Sequence, residues 1–186
     1  MSMPTAEKAA ELAAAVLASA LPRRWRHVQA VGRKAATLGR SLLEVDAESL
    51  VAAAWLHDVG YSPTIVDTGL HALDGARWVL RQGFSDRIAA LVAHHSCALF
   101  EADERGLSAV LAGEFPREKS PTADALWYAD MTTGPDGADV EVGQRLAEIR
   151  QRYGPDHLVT RFWKRAEPDL MAAVSRTQRL LQRQPM

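Results

Sequence analysis

The residues best able to do chemistry in this chain are a few histidines and aspartates that sit where core residues belong. Asp130 shares a helical face with Leu126 and Trp127, and His95 follows Leu91 and Ile88 in the same way. His57 and Asp58 close the most apolar segment, AESLVAAAWLHD, and His27 lies beside the stripe of Val31 and Leu38. A buried carboxylate without a partner is strongly unfavourable, so Asp58 and Asp130 need counter-charges. Imidazoles and carboxylates aimed inward together form the donor set of a divalent transition metal. Taken singly, each has a plainer reading: a core histidine with satisfied nitrogens, a helix cap, or an aspartate paired with Arg24 or Arg77. Gathered on different helices, they predict a metal site built from His27, the His57-Asp58 pair and Asp130.

The elements that must carry these residues are helical throughout. Thr5 caps a first helix to about residue 20, and a second runs from about 24 to 42. Asp46 caps a third that ends near Asp58, apolar almost all round and so expected at the centre of the domain. GYSPTIVDTGL reads as a loop. A helix over 71–82 stops at Gly83, and Ser85 caps the next, DRIAALVAHHS. Short helices are expected at 98–105 and 107–113. GEFPREKSP is a loop, a helix spans 122–131, and TTGPDG is a turn. The remainder predicts helices at 139–152, 156–165 and 167–183. Neighbouring helical residues point about 100° apart, so both members of the His57-Asp58 pair reach one site only near a helix end, where Gly60 follows.

Composition bounds the class. The 186 residues suit a single domain over 1–186, with 47% hydrophobic and 24% charged residues. Lys+Arg is 22 and Asp+Glu 23, for a net charge of −1, which speaks against general nucleic-acid binding. The single cysteine, Cys97, excludes an internal disulfide and a multi-cysteine zinc site, and suits a reducing cytoplasm. Glu7, Lys8 and Glu11 interrupt the alanine-rich start, which is not a signal peptide, and no apolar run is long enough to cross a bilayer.

With these motifs in order, the chain resembles the HD-domain superfamily of metal-dependent phosphohydrolases. RRWRHVQAVGRKA carries His27, AAWLHDVGY carries His57 and Asp58, and ALWYADMTTG carries Asp130. The resemblance covers about 23–134. It implies an all-α fold of five core helices with the metal between them, and it leaves 138–186 as a helical extension that packs on the domain or forms a dimer contact.

Three further histidines extend the resemblance. His71 opens HALDGARWVL, and His94-His95 close IAALVAHHS. In the two-metal branches of the superfamily, residues at these places hold a second ion and the Asp of the pair bridges both. That implies a dinuclear site of His27, His57, Asp58, His71, His95 and Asp130, with His94 as a further ligand or a substrate contact. Mn, Fe, Co, Ni and Zn all suit these donors better than Ca. The implied reaction is hydrolysis of a small phosphate ester, a nucleotide among the candidates, by metal-activated water, with His57 and Asp58 at the catalytic centre. Arg24, Lys34, Tyr61 and Arg77 are the candidates to hold the phosphate. One departure stands out. Many superfamily hydrolases place Lys soon after the pair, where this chain has the uncharged Tyr61. The Gly-Tyr-Pro motif of the cyclic-di-GMP branch is also absent. Two other functions are open: a diiron oxygenase acting on a small organic substrate, which fits the same ligand order, and a non-catalytic regulatory domain, against which the complete ligand set speaks.

Overall fold

The computed structural model describes residues 5–183. Ten α-helices follow one another: α1 (Thr5–Leu17), α2 (Pro22–Ser41), α3 (Ala47–Leu56), α4 (His71–Arg81), α5 (Asp86–Ala93), α6 (Ala98–Glu104), α7 (Ser108–Glu114), α8 (Pro121–Met131), α9 (Val142–Tyr153) and α10 (Leu158–Gln182). Short 3₁₀ turns at Val59–Tyr61 and His95–Cys97 follow α3 and α5. The described residues contain no β-strand, and the fold is all-α.

α3 is the centre, as its uniformly apolar sequence predicts. It packs against α1, α2, α5 and α8. Its alanines 52, 53 and 54 are fully buried and let the neighbouring helices approach closely, while Leu50 and Leu56 fill the space between them. Two of the three expected caps hold: Asp46 accepts from the Ser49 N–H at 3.1 Å, and Ser85 accepts from Ile88 N–H at 3.3 Å, whereas Thr5 is the first residue of α1 and its hydroxyl donates to Glu48.

The loop between α3 and α4 is fastened from below. Asp74, buried in α4, accepts from the backbone N–H groups of Asp67, Thr68 and Gly69 and from the Thr68 hydroxyl. Gly60 lies against the first turn of α4. A Cβ there would stand 1.9 Å from the His71 carbonyl oxygen and 2.8 Å from Gly75 N. Only glycine permits that approach.

One expectation about the C-terminal region is corrected. The sequence predicts separate helices at 156–165 and 167–183, but α10 runs unbroken from Leu158 to Gln182, Pro168 included. Proline removes one hydrogen bond, leaving the carbonyl of Lys164 without its helical donor. Lys164 is exposed, so water can serve that carbonyl. α10 lies on α6, α8 and α9, burying Phe162, Trp163, Leu170 and Val174. No described helix is long and apolar enough to cross a membrane.

Candidate metal centre

Five helices bring their ends or first turns to one place. His27 sits early in α2, His57 and Asp58 just past α3, His71 at the first residue of α4, His95 just past α5, and Asp130 in the last turn of α8. All but His71 are buried to within 7% exposure, and the His71 side chain is 11% exposed.

Their atoms fall into two groups. His27, His57 and Asp130 form one, and Asp58, His71 and His95 the other, with the donor atoms of each within 4.8 Å of one another. His27 Nε2 lies 2.9 Å from Asp130 Oδ1, and His57 Nε2 lies 3.7 Å from the same oxygen. In the second group, His71 Nε2 and His95 Nε2 are 3.8 and 3.9 Å from Asp58 Oδ1 and 3.2 Å from each other. Ligands bonded at 2.0–2.1 Å in tetrahedral geometry stand about 3.3 Å apart, so these spacings suit an ion in each group.

The tautomers are set by the backbone. His27 Nδ1–H donates to Gly134 O at 3.0 Å, His57 Nδ1–H to Ala54 O at 2.8 Å, and His95 Nδ1–H to Val92 O at 2.6 Å. A carbonyl only accepts, so each Nδ1 carries the proton and each Nε2 is left to the site. His57 Nε2 is buried and has no hydrogen-bond partner. A buried, unpartnered acceptor among carboxylates is what a metal ligand looks like before its metal arrives. The residues present therefore fit a divalent ion. The turn predicted at TTGPDG supplies Gly134 O, and the turn is closed by Gly134 N–H donating to Ala138 O at 2.7 Å.

The charges agree. Burial by itself raises the Asp58 and Asp130 carboxyls, yet the surrounding imidazoles, and the Arg24 guanidinium beside Asp58, outweigh it and hold both below the ordinary carboxylate range. For Asp58 these are His57, Arg24 and His71; for Asp130, His57 and His27. Arg24 Nη1 bonds Asp58 Oδ2 at 2.6 Å, and its guanidinium lies 3.5 Å from the centre of the Tyr61 ring. Tyr61 in turn stacks on His71, with ring centres 4.0 Å apart.

Burial, aided by His95, depresses the pKa of His71, and burial with His57 depresses that of His95. Burial also lowers His94. His27 moves the other way: burial lowers it, but the hydrogen bond to Asp130 and the charges of Asp130 and Asp58 together outweigh that. The three depressed imidazoles stabilise the fold fully above about pH 6.5 and lose that contribution as pH falls toward their folded values. His27 contributes below about pH 6.5 and loses its contribution as pH rises through its raised value. Glu101, raised by burial, works with His27, but His71 is held well below its ordinary value and the other two imidazoles add to it, so chelator-treated protein is expected to lose thermal stability between about pH 6.5 and pH 5. A melting temperature that stays level or rises over that interval would contradict this balance.

Three expected contacts lie elsewhere. His94 turns away from its neighbour: its Nε2 bonds Phe115 O at 2.8 Å, and it joins neither group. Lys34 is bound to Thr132 O at 2.6 Å and to Asp139 at 2.7 Å, and does not line the cavity over the histidines. Arg77 is held on the surface by Glu114 and Asp67. Arg24 and Tyr61 do line that cavity.

Other residues enter unannounced. Ser96 donates its hydroxyl to Asp130 Oδ2. It and Cys97 adopt positive φ values of 45° and 62°, rare for residues with a Cβ and a strain that turns the chain back over the site. Ser96→Gly relieves the strain and Ser96→Ala does not, though both remove the hydroxyl. The glycine variant is therefore expected to melt higher than the alanine variant, by about 1 kcal/mol in stability. Glu101, buried on α6, stands 3.8 Å from His71 Nδ1 and is held by Arg105 at 2.7 Å. Cys97 is no ligand; its thiol faces Ala166 O.

A family model for the HD domain matches residues 24–133. The chain belongs to the HD-domain family. No curated protein and no solved structure shows significant similarity to it. The HD match spans α2 to α8 and contains all six residues of the two groups. α9 and α10 lie outside it, yet Arg145, Arg152, Tyr153 and Trp163 from these helices wall the cavity above the HD pair. The extension is thus part of the site's enclosure.

Proposed function

We propose that this HD-domain protein is a metal-dependent phosphohydrolase acting on a small phosphate ester, with nucleotides among the candidate substrates. His27, His57 and Asp130 would hold one ion, His71 and His95 a second, and Asp58 would serve both. Bound ions supply a water of lowered pKa as nucleophile and positive charge for the phosphoryl oxygens. The observation that carries this reading is the two-sided presentation of Asp58. Its Oδ2 lies 3.5 Å from His57 Nε2, and its Oδ1 faces His71 and His95 at 3.8 and 3.9 Å.

The chain's own groups do the positioning. Backbone carbonyls hold the Nδ1 protons of three imidazoles, so His57 and His95 need no proton rearrangement to ligate, while His27 has the proton it shares with Asp130 to release. Ser96 fixes the second oxygen of Asp130. Arg24, one third exposed beside Asp58, is placed to take a phosphoryl oxygen. It brings from α2 the positive charge that Tyr61 lacks after the HD pair.

The reading is tested by loading the protein separately with Mn, Fe, Co, Ni and Zn and assaying a panel of nucleotides and simple phosphoesters. Metal-dependent hydrolysis is expected. A protein that takes up no divalent ion after reconstitution refutes it, as does turnover that consumes oxygen and needs iron.

A further inference from the structure

The cavity over the HD pair, about 240 Å³, adjoins a second of about 340 Å³. The outer one opens between the start of α2 and Pro135, and Ala20, Leu21 and Pro22 form part of its wall. Arg24, His27, Arg145 and Arg152 line both, and so form the neck between them.

Arg145 and Arg152 lie on one face of α9 with Glu148 between them. Glu148 accepts from Arg145 Nη1 at 2.6 Å and also from Arg152. One carboxylate balances only one of the two guanidiniums, so the pair keeps a net positive charge. On a solvated helix such a ladder would be ordinary surface. Here the Arg145 side chain is only 12% exposed, and its Nε–H is buried without an acceptor. Arg145 and Arg152 both line the cavities, with one carboxylate between them to balance two guanidiniums, which leaves charge for an anion that the chain itself does not supply.

We propose that Arg145 and Arg152 form a second anion subsite at the neck, and that the substrate is an organic phosphate bearing a second anionic group, carboxylate or phosphate. This rests on the phosphohydrolase reading. Arg24 and the two metal-ligand groups serve the reacting phosphoryl in the inner cavity. The neck arginines, with planar forks suited to oxyanions, grip the second charge. The wall of Ala20, Leu21 and Pro22 takes an uncharged remainder. Specificity thus comes from the segment outside the HD match.

The test compares substrates that differ only in the second anion, on Mn-loaded protein: glycerol phosphate against phosphoglycerate, and a nucleoside monophosphate against the corresponding bisphosphate. The member with two anions is expected to have a kcat/KM about tenfold higher or more, the scale of one well-placed ionic contact. Whichever pair shows the preference identifies the second anion as carboxylate or phosphate. Arg145→Met and Arg152→Met should bring the ratio toward one through KM, while Glu148→Gln, which frees both guanidiniums, should raise it. Calorimetric titration of phosphoglycerate and the bisphosphate into chelator-treated protein reads the same preference without turnover. Hydrolysis of monoesters with a ratio near one in the wild type overturns the subsite and leaves the hydrolase standing. Binding of a two-anion compound that Arg145→Met abolishes, in a protein that hydrolyses no ester, upholds the subsite and overturns the hydrolase.

Discussion

Asp58→Ala is expected to remove metal-dependent hydrolysis almost completely, lowering kcat/KM by about 10³-fold or more, equivalent to ~4 kcal/mol of transition-state stabilisation. The size follows from position. Asp58 is the one carboxylate with an oxygen toward each of the two donor groups, so its loss weakens both. His95→Ala removes a donor from one group only and is expected to lower metal occupancy without eliminating it. Loss of the carboxylate also frees Arg24. Removing one partner of a fully buried ion pair costs about 3–5 kcal/mol because a charge is stranded. The Arg24 side chain is 32% exposed and borders two cavities, so it can turn to water. The variant should therefore fold, with a melting temperature near that of wild type when both are stripped of metal. Equal metal content and equal hydrolysis in Asp58→Ala and wild type would remove Asp58 from the site.

The second large effect is structural. Gly60→Ala places a methyl 1.9 Å from the His71 carbonyl oxygen, within the first turn of α4. The obstacle is backbone, and no rotamer change relieves it. Either α4 shifts, carrying His71 with it, or the turn at Val59–Tyr61 opens and moves the HD pair. Overpacking of this kind costs about 3 kcal/mol. For a chain of this length, that lowers the melting temperature by about 6–12 °C. The distinguishing readout is metal affinity: the group of Asp58, His71 and His95 should weaken more than that of His27, His57 and Asp130, because His71 moves with α4.

Much of this was legible in local sequence. The all-apolar α3 announced its burial, and Asp46 and Ser85 announced their helices. Five of the six histidines and aspartates of the two groups stand out because an ionisable residue on an apolar stripe demands a partner; His71, which opens α4, is implied only by the HD resemblance. Other features depend on distant packing. His95 is legible on the face of Ile88 and Leu91, but the partner of its neighbour is not: His94 turns to Phe115 O. Lys34 looked free because its partners, Thr132 and Asp139, are about a hundred residues away. Ser96 gave no sign of its left-handed backbone, since only glycine or asparagine would have advertised one. Arg145, Glu148 and Arg152 have the spacing of any solvated helix face. Their place at the neck depends on how α9 sits against the HD core.

The pairing of Arg24 with Asp58, and of His27 with Asp130, has a consequence for how the protein acquires its ions. These internal cations already offset both carboxylates, so the polypeptide can mature before any ion reaches it. Chelators should empty such a protein without denaturing it, unlike a zinc finger, whose structure exists only with its ion. Uptake then becomes a reversible exchange, ion for proton at His27 and ion for guanidinium at Asp58. Which element such a site would take then depends on relative affinity and on what the surroundings supply.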